Sequence, residues 1–153
     1  MQEQEIFNGL IATYRDLNLR VRPLPEERLR MGHGRATVKH IIAEMRDDEL
    51  HFSQALKDRL GGEPMVDVLG SKASGEEVEE LVVPGPDDTT AEVLSQFGTA
   101  RESTLAMLRG MTPDEWDSPA GGGLTIRQAS EKLLANDARH MERIVRLLGS
   151  PAA

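Results

Sequence analysis

The chain has 153 residues, a formal net charge of −8 at pH 7 and no cysteine. A single domain spanning 1–153 is expected at this length, large enough to bury a core unaided. Disulfides, thiolate metal ligands and a cysteine nucleophile are excluded, and an acidic chain without a dense basic cluster is a poor partner for nucleic acid.

The amino-terminal MQEQEIFNGL lacks a positive n-region and a long apolar run. No window approaches the ~18 apolar residues of a membrane span, so a cytoplasmic protein without membrane association is expected. Ile6, Leu10, Ile11, Tyr14, Leu17 and Val21 recur at three and four residues, which predicts a first helix over about Gln4–Val21. Pro23 and Pro25 stop it, and a turn of helix is expected at Glu26–Leu29. MGHGR at 31–35 reads as a loop, with two glycines flanking His33.

The second helix is expected from about Ala36 to Leu60, ended by Gly61-Gly62. Val38, Ile41, Ile42, Met45, Phe52, Ala55 and Leu56 make its apolar side, which His40, Glu44, Asp48 and His51 interrupt or border. In the run Arg46-Asp47-Asp48-Glu49 only Asp48 is expected to point inward, the rest forming a solvated face. Residues 61–88 then lack a long periodic segment. Ser74 with Glu77 has capping-box spacing, LVV at 81–83 is weakly strand-like, and Pro84-Gly85-Pro86 is a firm break. Helix-to-helix loops are usually ~2–8 residues, so this long connection implies a crossover that lets the second and third helices run the same way.

Thr89 or Thr90 caps the third helix, with Glu92 at capping-box spacing from Thr89. Val93, Leu94, Phe97, Leu105 and Leu108 form its apolar face, and Gly110 ends it. Thr112, Pro113 and Glu115 predict one helical turn that tucks Trp116 against the core. Gly121-Gly122-Gly123 leads into a fourth helix over Thr125–Leu148, whose start is marked by Thr125 and Gln128. The fold class is therefore all-α: a four-helix bundle running up, down, down, up, with a long crossover between helices two and three.

Asn136 and His140 sit four residues apart on an otherwise apolar stripe of Ala129, Leu133, Ile144 and Leu147. Polar groups on such a stripe need partners, because an unpaired buried polar group costs ~1–3 kcal/mol. Glu44 lies roughly 12 Å along helix two at 1.5 Å per residue, level with His140 on an antiparallel helix four. Asp48 and Asn136 match one turn deeper. Glu44, Asp48, Asn136 and His140 can thus converge, as carboxylates and histidines do at metal sites inside helical bundles. The set would suit Zn, Ni, Mn or Fe. A metal-free network, with Glu44 accepting from His140 and Asn136 bridging, accounts for the same four residues.

TVKHIIAEM, LTIRQASEKLLANDARHMERI, the element around Leu24-Pro25 and the T-P-x-E-W turn resemble the DinB/YfiT-like superfamily of four-helix metalloenzymes over nearly the whole chain. The resemblance implies an up-down-down-up bundle, often a homodimer, holding a divalent metal with one histidine on helix two and an H-x-x-x-H pair on helix four. Carried onto this chain, those positions are Glu44, Asn136 and His140, so one of three is a histidine. Members with known activity are thiol-dependent transferases, using bacillithiol or mycothiol, or isomerases of maleylpyruvate type. There the metal lowers the pKa of the incoming thiol and orients it.

Two functions follow. One is a divalent-metal-binding protein, a candidate thiol-dependent S-transferase with Glu44 and His140 as core ligands and Asn136 and Asp48 beside them. The other is a metal-free, catalytically inactive dimeric module for binding or stress response.

Overall fold

A computed structural model describes residues 1–32, 37–63, 65 and 88–149. The expectations for 66–87 (the Ser74/Glu77 cap, the LVV segment and the Pro84–Pro86 break) and for His33 in its glycine loop lie outside the described residues.

The described chain is mostly helical: α1 (Glu3–Val21), α2 (Glu26–Leu29), α3 (Val38–Leu60), α4 (Thr90–Arg109), α5 (Pro113–Trp116) and α6 (Ile126–Gly149). No helix is long and apolar enough to cross a membrane, among the described residues. The ends lie where local chemistry puts them. Thr37 caps α3 by accepting from the His40 N–H at 3.0 Å. At α4 the Thr89 hydroxyl accepts from the Glu92 N–H and the Glu92 carboxylate accepts from the Thr89 N–H, a reciprocal box. Thr112 and Glu115 do the same at α5. α4 has a second carboxylate at its amino end: Glu26 of α2 accepts from the Thr90 N–H at 3.0 and 3.1 Å and from its hydroxyl at 3.0 Å.

One element was not anticipated. Residues Pro119–Gly121 (β1) and Leu124–Thr125 (β2) form a small antiparallel hairpin, with Pro119 opposite Thr125 and Gly121 opposite Leu124. Gly121, Gly122 and Gly123 all have positive φ (120°, 63° and 81°), so the glycine run is a tight reversal rather than a lead-in. Strands this short carry no alternation for a sequence reading to detect. Thr125 consequently belongs to β2, and its hydroxyl caps α6 through the Gln128 N–H at 3.1 Å.

The helices meet at residue pairs that locate the site. Between α3 and α4, Arg46 donates to Gln96 and Ser53 to the Ser103 hydroxyl at 3.2 Å, and Lys39 donates to the Asp88 carbonyl just ahead of α4. Between α1 and α4, Tyr14 stacks edge-on against Phe97 at 5.8 Å and Arg109 lies over Phe7 at 5.2 Å. Apolar packing falls into two groups. Leu17, Val21, Ile41, Ile42, Met45, Val93, Leu94, Phe97 and Ile144 belong to one; Ile6, Leu10, Phe52, Leu56, Leu105, Leu108, Trp116, Ile126 and Leu133 belong to the other. Trp116 is buried as expected, with Arg127 over its ring at 5.8 Å.

The reading of Arg46–Glu49 as a solvated face is corrected. Arg46 and Glu49 are 3% and 0% exposed, as buried as Asp48 at 7%. Their partners lie on α4, Gln96 for Arg46 and Arg101 for Glu49, and nothing in the sequence of α3 announces them.

Candidate functional site

α3 presents Glu44 and Asp48 one turn apart, and α6 presents Asn136 and His140 at the same spacing. The four side chains meet. Asn136 Nδ2 donates to Asp48 Oδ2 at 2.7 Å. His140 Nε2 stands 3.7 Å from Glu44 Oε1 and 3.9 Å from Asp48 Oδ2, beyond hydrogen-bond distance from both.

Arginines complete the cluster. Arg143, three residues beyond His140 on the same face of α6, donates to Glu44 Oε1 at 2.8 Å. Arg139 donates to Asn136 Oδ1 at 2.7 Å. On the solvent side, His40 Nε2 lies 3.6 Å from Glu44 Oε2. His40 falls at the border of the apolar side, as the sequence places it, whereas Arg143 and Arg139 have no part in the sequence reading of the site, although the i+3 spacing of Arg143 from His140 is a usable signal. Long cations on a helix are read by default as solvated, and that default hid them.

Burial holds the His140 imidazole below its ordinary pKa, and the Arg143 charge acts in the same direction; Asp48, Glu44 and Asp137 pull it back up. The net effect favours the neutral imidazole. Its Nδ1 is buried and has no hydrogen-bond partner.

A second polar group lies one residue further along both helices, and it was missed. Arg101 of α4 is 1% exposed. Its Nη1 donates to Asp137 Oδ2 at 3.0 Å and to the Leu10 carbonyl at 2.8 Å, and its Nη2 donates to Asp137 Oδ1 at 2.9 Å and Glu49 Oε1 at 2.7 Å. The guanidinium also stacks over Phe97 at 5.0 Å. Burial works against its charge, but Glu49 and Asp137 more than offset that and raise its pKa further. Burial raises the pKa of Glu49, with Asp137 adding to the shift and Arg101 opposing it.

The cluster can be tested against the divalent metal implied by the sequence resemblance. Protein donors sit ~2.0–2.2 Å from such an ion and leave it little competition. Here Glu44 is already neutralised by Arg143, and Asn136 turns its NH2 toward Asp48 while Arg139 takes its oxygen. Among the described residues no three or more His, Asp and Glu side chains are arranged so that they could hold a metal ion. With Arg143 on Glu44 and both ends of the Asn136 amide engaged, these side chains do not present a preformed donor set to a divalent metal.

No protein-family model, curated protein or solved structure matches the chain.

Proposed function

We propose that this chain is a DinB-like four-helix bundle, running up, down, down, up, whose central polar cluster works without a metal, and that it acts as a non-catalytic, homodimeric binding module. The bundle order is supported by the interhelical pairs. Numbers rise together from α3 to α4 and the chain just ahead of it (Lys39 with Asp88, Arg46 with Gln96, Ser53 with Ser103) and in opposite senses from α3 to α6 (Glu44 with Arg143, Asp48 with Asn136). The dimer rests on the sequence resemblance alone.

The observation that carries the metal-free reading is the Arg143 guanidinium on Glu44, 2.8 Å from the oxygen that faces His140. An arginine there supplies the positive charge that a dication would otherwise bring, and a second cation beside it is repelled. Thiol-dependent transfer needs a Lewis acid at this place, so that reading depends on metal uptake.

Metal content decides between them. Protein purified without an affinity tag is expected to carry no stoichiometric Zn, Ni, Mn or Fe by mass spectrometry, and its melting temperature is expected to be the same with and without chelator. A bound ion stabilises the native state by mass action. Near-stoichiometric metal together with a chelator-induced fall in melting temperature would overturn the reading and direct assays to low-molecular-weight thiols.

A further inference from the structure

The two apolar groups of the core are separated, on every long helix, by the same polar layer. On α3, Glu49 lies between Met45 of one group and Phe52 of the other; on α4, Arg101 lies between Phe97 and Leu105; on α6, Asp137 lies between Leu133 and Ile144. On α1 the Leu10 carbonyl meets the layer, with Leu17 in the opposite group. One guanidinium touches all four long helices. Its two terminal nitrogens are engaged by a bidentate carboxylate, a second carboxylate and a carbonyl, so its position is fixed along the axis as well as across it.

Apolar layers specify axial register weakly. A helix that slips by one turn brings another aliphatic stripe into the same groove, whereas a fork of directed hydrogen bonds has no equivalent one turn away. A buried polar group that selects register at the expense of stability is the best-attested use of such residues. Here the consequence is local as well as global, because Glu49 and Asp137 immediately follow Asp48 and Asn136.

We propose that Arg101 is a register lock: its hold on Glu49, Asp137 and the Leu10 carbonyl sets the axial positions of the four long helices and thereby places Asp48 opposite Asn136 and Glu44 opposite His140. It is a positioning residue for the cluster, and this role holds whether or not the cluster takes a metal.

The absence of native cysteine makes the test direct. Ser53 and Ser103 face each other across α3 and α4 with Oγ atoms 3.2 Å apart. S53C/S103C in the full chain therefore reports that register through its rate of disulfide formation, since cross-linking demands close Cβ approach. The Asn136 side-chain amide resonances report the contact with Asp48 on the α6 side. In this background the lock is replaced by an apolar set, E49M/R101M/D137L. The expected product is helical and folded, cross-links about tenfold more slowly because several registers share the population, and loses the protected Asn136 amide signals. A folded triple variant with unchanged cross-linking and unchanged amide signals would overturn the proposal and assign register to apolar packing. If the triple variant does not fold, R101K decides, since an ammonium keeps the charge but lacks the planar fork that holds Asp137 bidentately while reaching Glu49 and the carbonyl. Loss of the Asn136 signals in folded R101K supports the lock, and their retention overturns it.

Discussion

The buried Arg101 network and the Glu44/His140 cluster are built from adjacent residues on the same two helices, yet they are opposite kinds of site. Residues 48 and 49, like 136 and 137, diverge by ~100° around their helix axes. That rotation sends Asp48 and Asn136 toward Arg139 and His140, and Glu49 and Asp137 toward Arg101. The inner set is dry: three charged side chains, each no more than 5% exposed, drawn to contacts of 2.7–3.0 Å, with Glu49 Oε2 and Arg101 Nε buried without a hydrogen-bond partner. The outer set is more open, although its own bonds from Asn136 to Asp48 and from Arg143 to Glu44 are as short, at 2.7 and 2.8 Å. His140 stands off both carboxylates by 3.7 Å or more, and Arg143 and Glu44 retain 41% and 23% side-chain exposure. Exposure, rather than the kind of residue, separates a structural core from a candidate site here.

The two sites should differ most in their response to loss of Arg101. Arg101→Met leaves two carboxylates buried without their cation, and ~3–5 kcal/mol of unfolding free energy is expected to disappear in urea titrations. Asp137→Asn keeps the shape but removes a charged bidentate acceptor, with ~1.5–3 kcal/mol expected to be lost. Asp48→Asn, its counterpart in the outer set, should cost clearly less; equal costs would erase the distinction between the two sites. Arg143→Met breaks a half-exposed pair whose stability effect is at most ~1 kcal/mol. Its visible consequence should instead be a weak gain of Zn affinity by calorimetry, because Glu44 is then free.

The smallest effect is a pH dependence. The folded pKa of His140 is depressed, so the unfolded chain binds a proton first as pH falls, and its contribution to stability is present above about 6.5 and drains away below that value. Wild type is therefore expected to lose stability relative to His140→Gln between neutral and mildly acidic pH. Parallel stability curves would show that the imidazole is not buried as described.

Much of the backbone was legible because helix ends are written in short-range chemistry. Thr89 with Glu92, Thr112-Pro113 with Glu115, and the glycines at 61 and 110 each fall within a residue of an observed boundary. The meeting of Glu44, Asp48, Asn136 and His140 was legible too, since spacing along two helices gives their heights without any coordinates. What stayed hidden was the charge on the inside. Glu49 reads as a surface residue and Arg101 draws no attention, because Arg and Glu are almost always exposed; the exemption depends on Arg101 meeting Glu49 and Asp137, 52 and 36 positions away in sequence. The hairpin escaped for a different reason: two and three residues cannot display a period.

The Glu26 carboxylate on α4 bears on what this surface can recognise. A helix amino terminus is a ready-made seat for phosphate, with free N–H groups and the positive end of the dipole. At the starts of α1, α4, α5 and α6 a side-chain oxygen of the chain already occupies part of that seat. Glu26 and Glu92 hold the start of α4, Glu115 that of α5, Glu5 caps α1 through the Gln2 N–H, and Gln128 turns its amide oxygen to the Thr125 N–H before α6. A phosphorylated ligand approaching any of these ends meets an oxygen already in place, and at all but the last a negative charge it would have to displace.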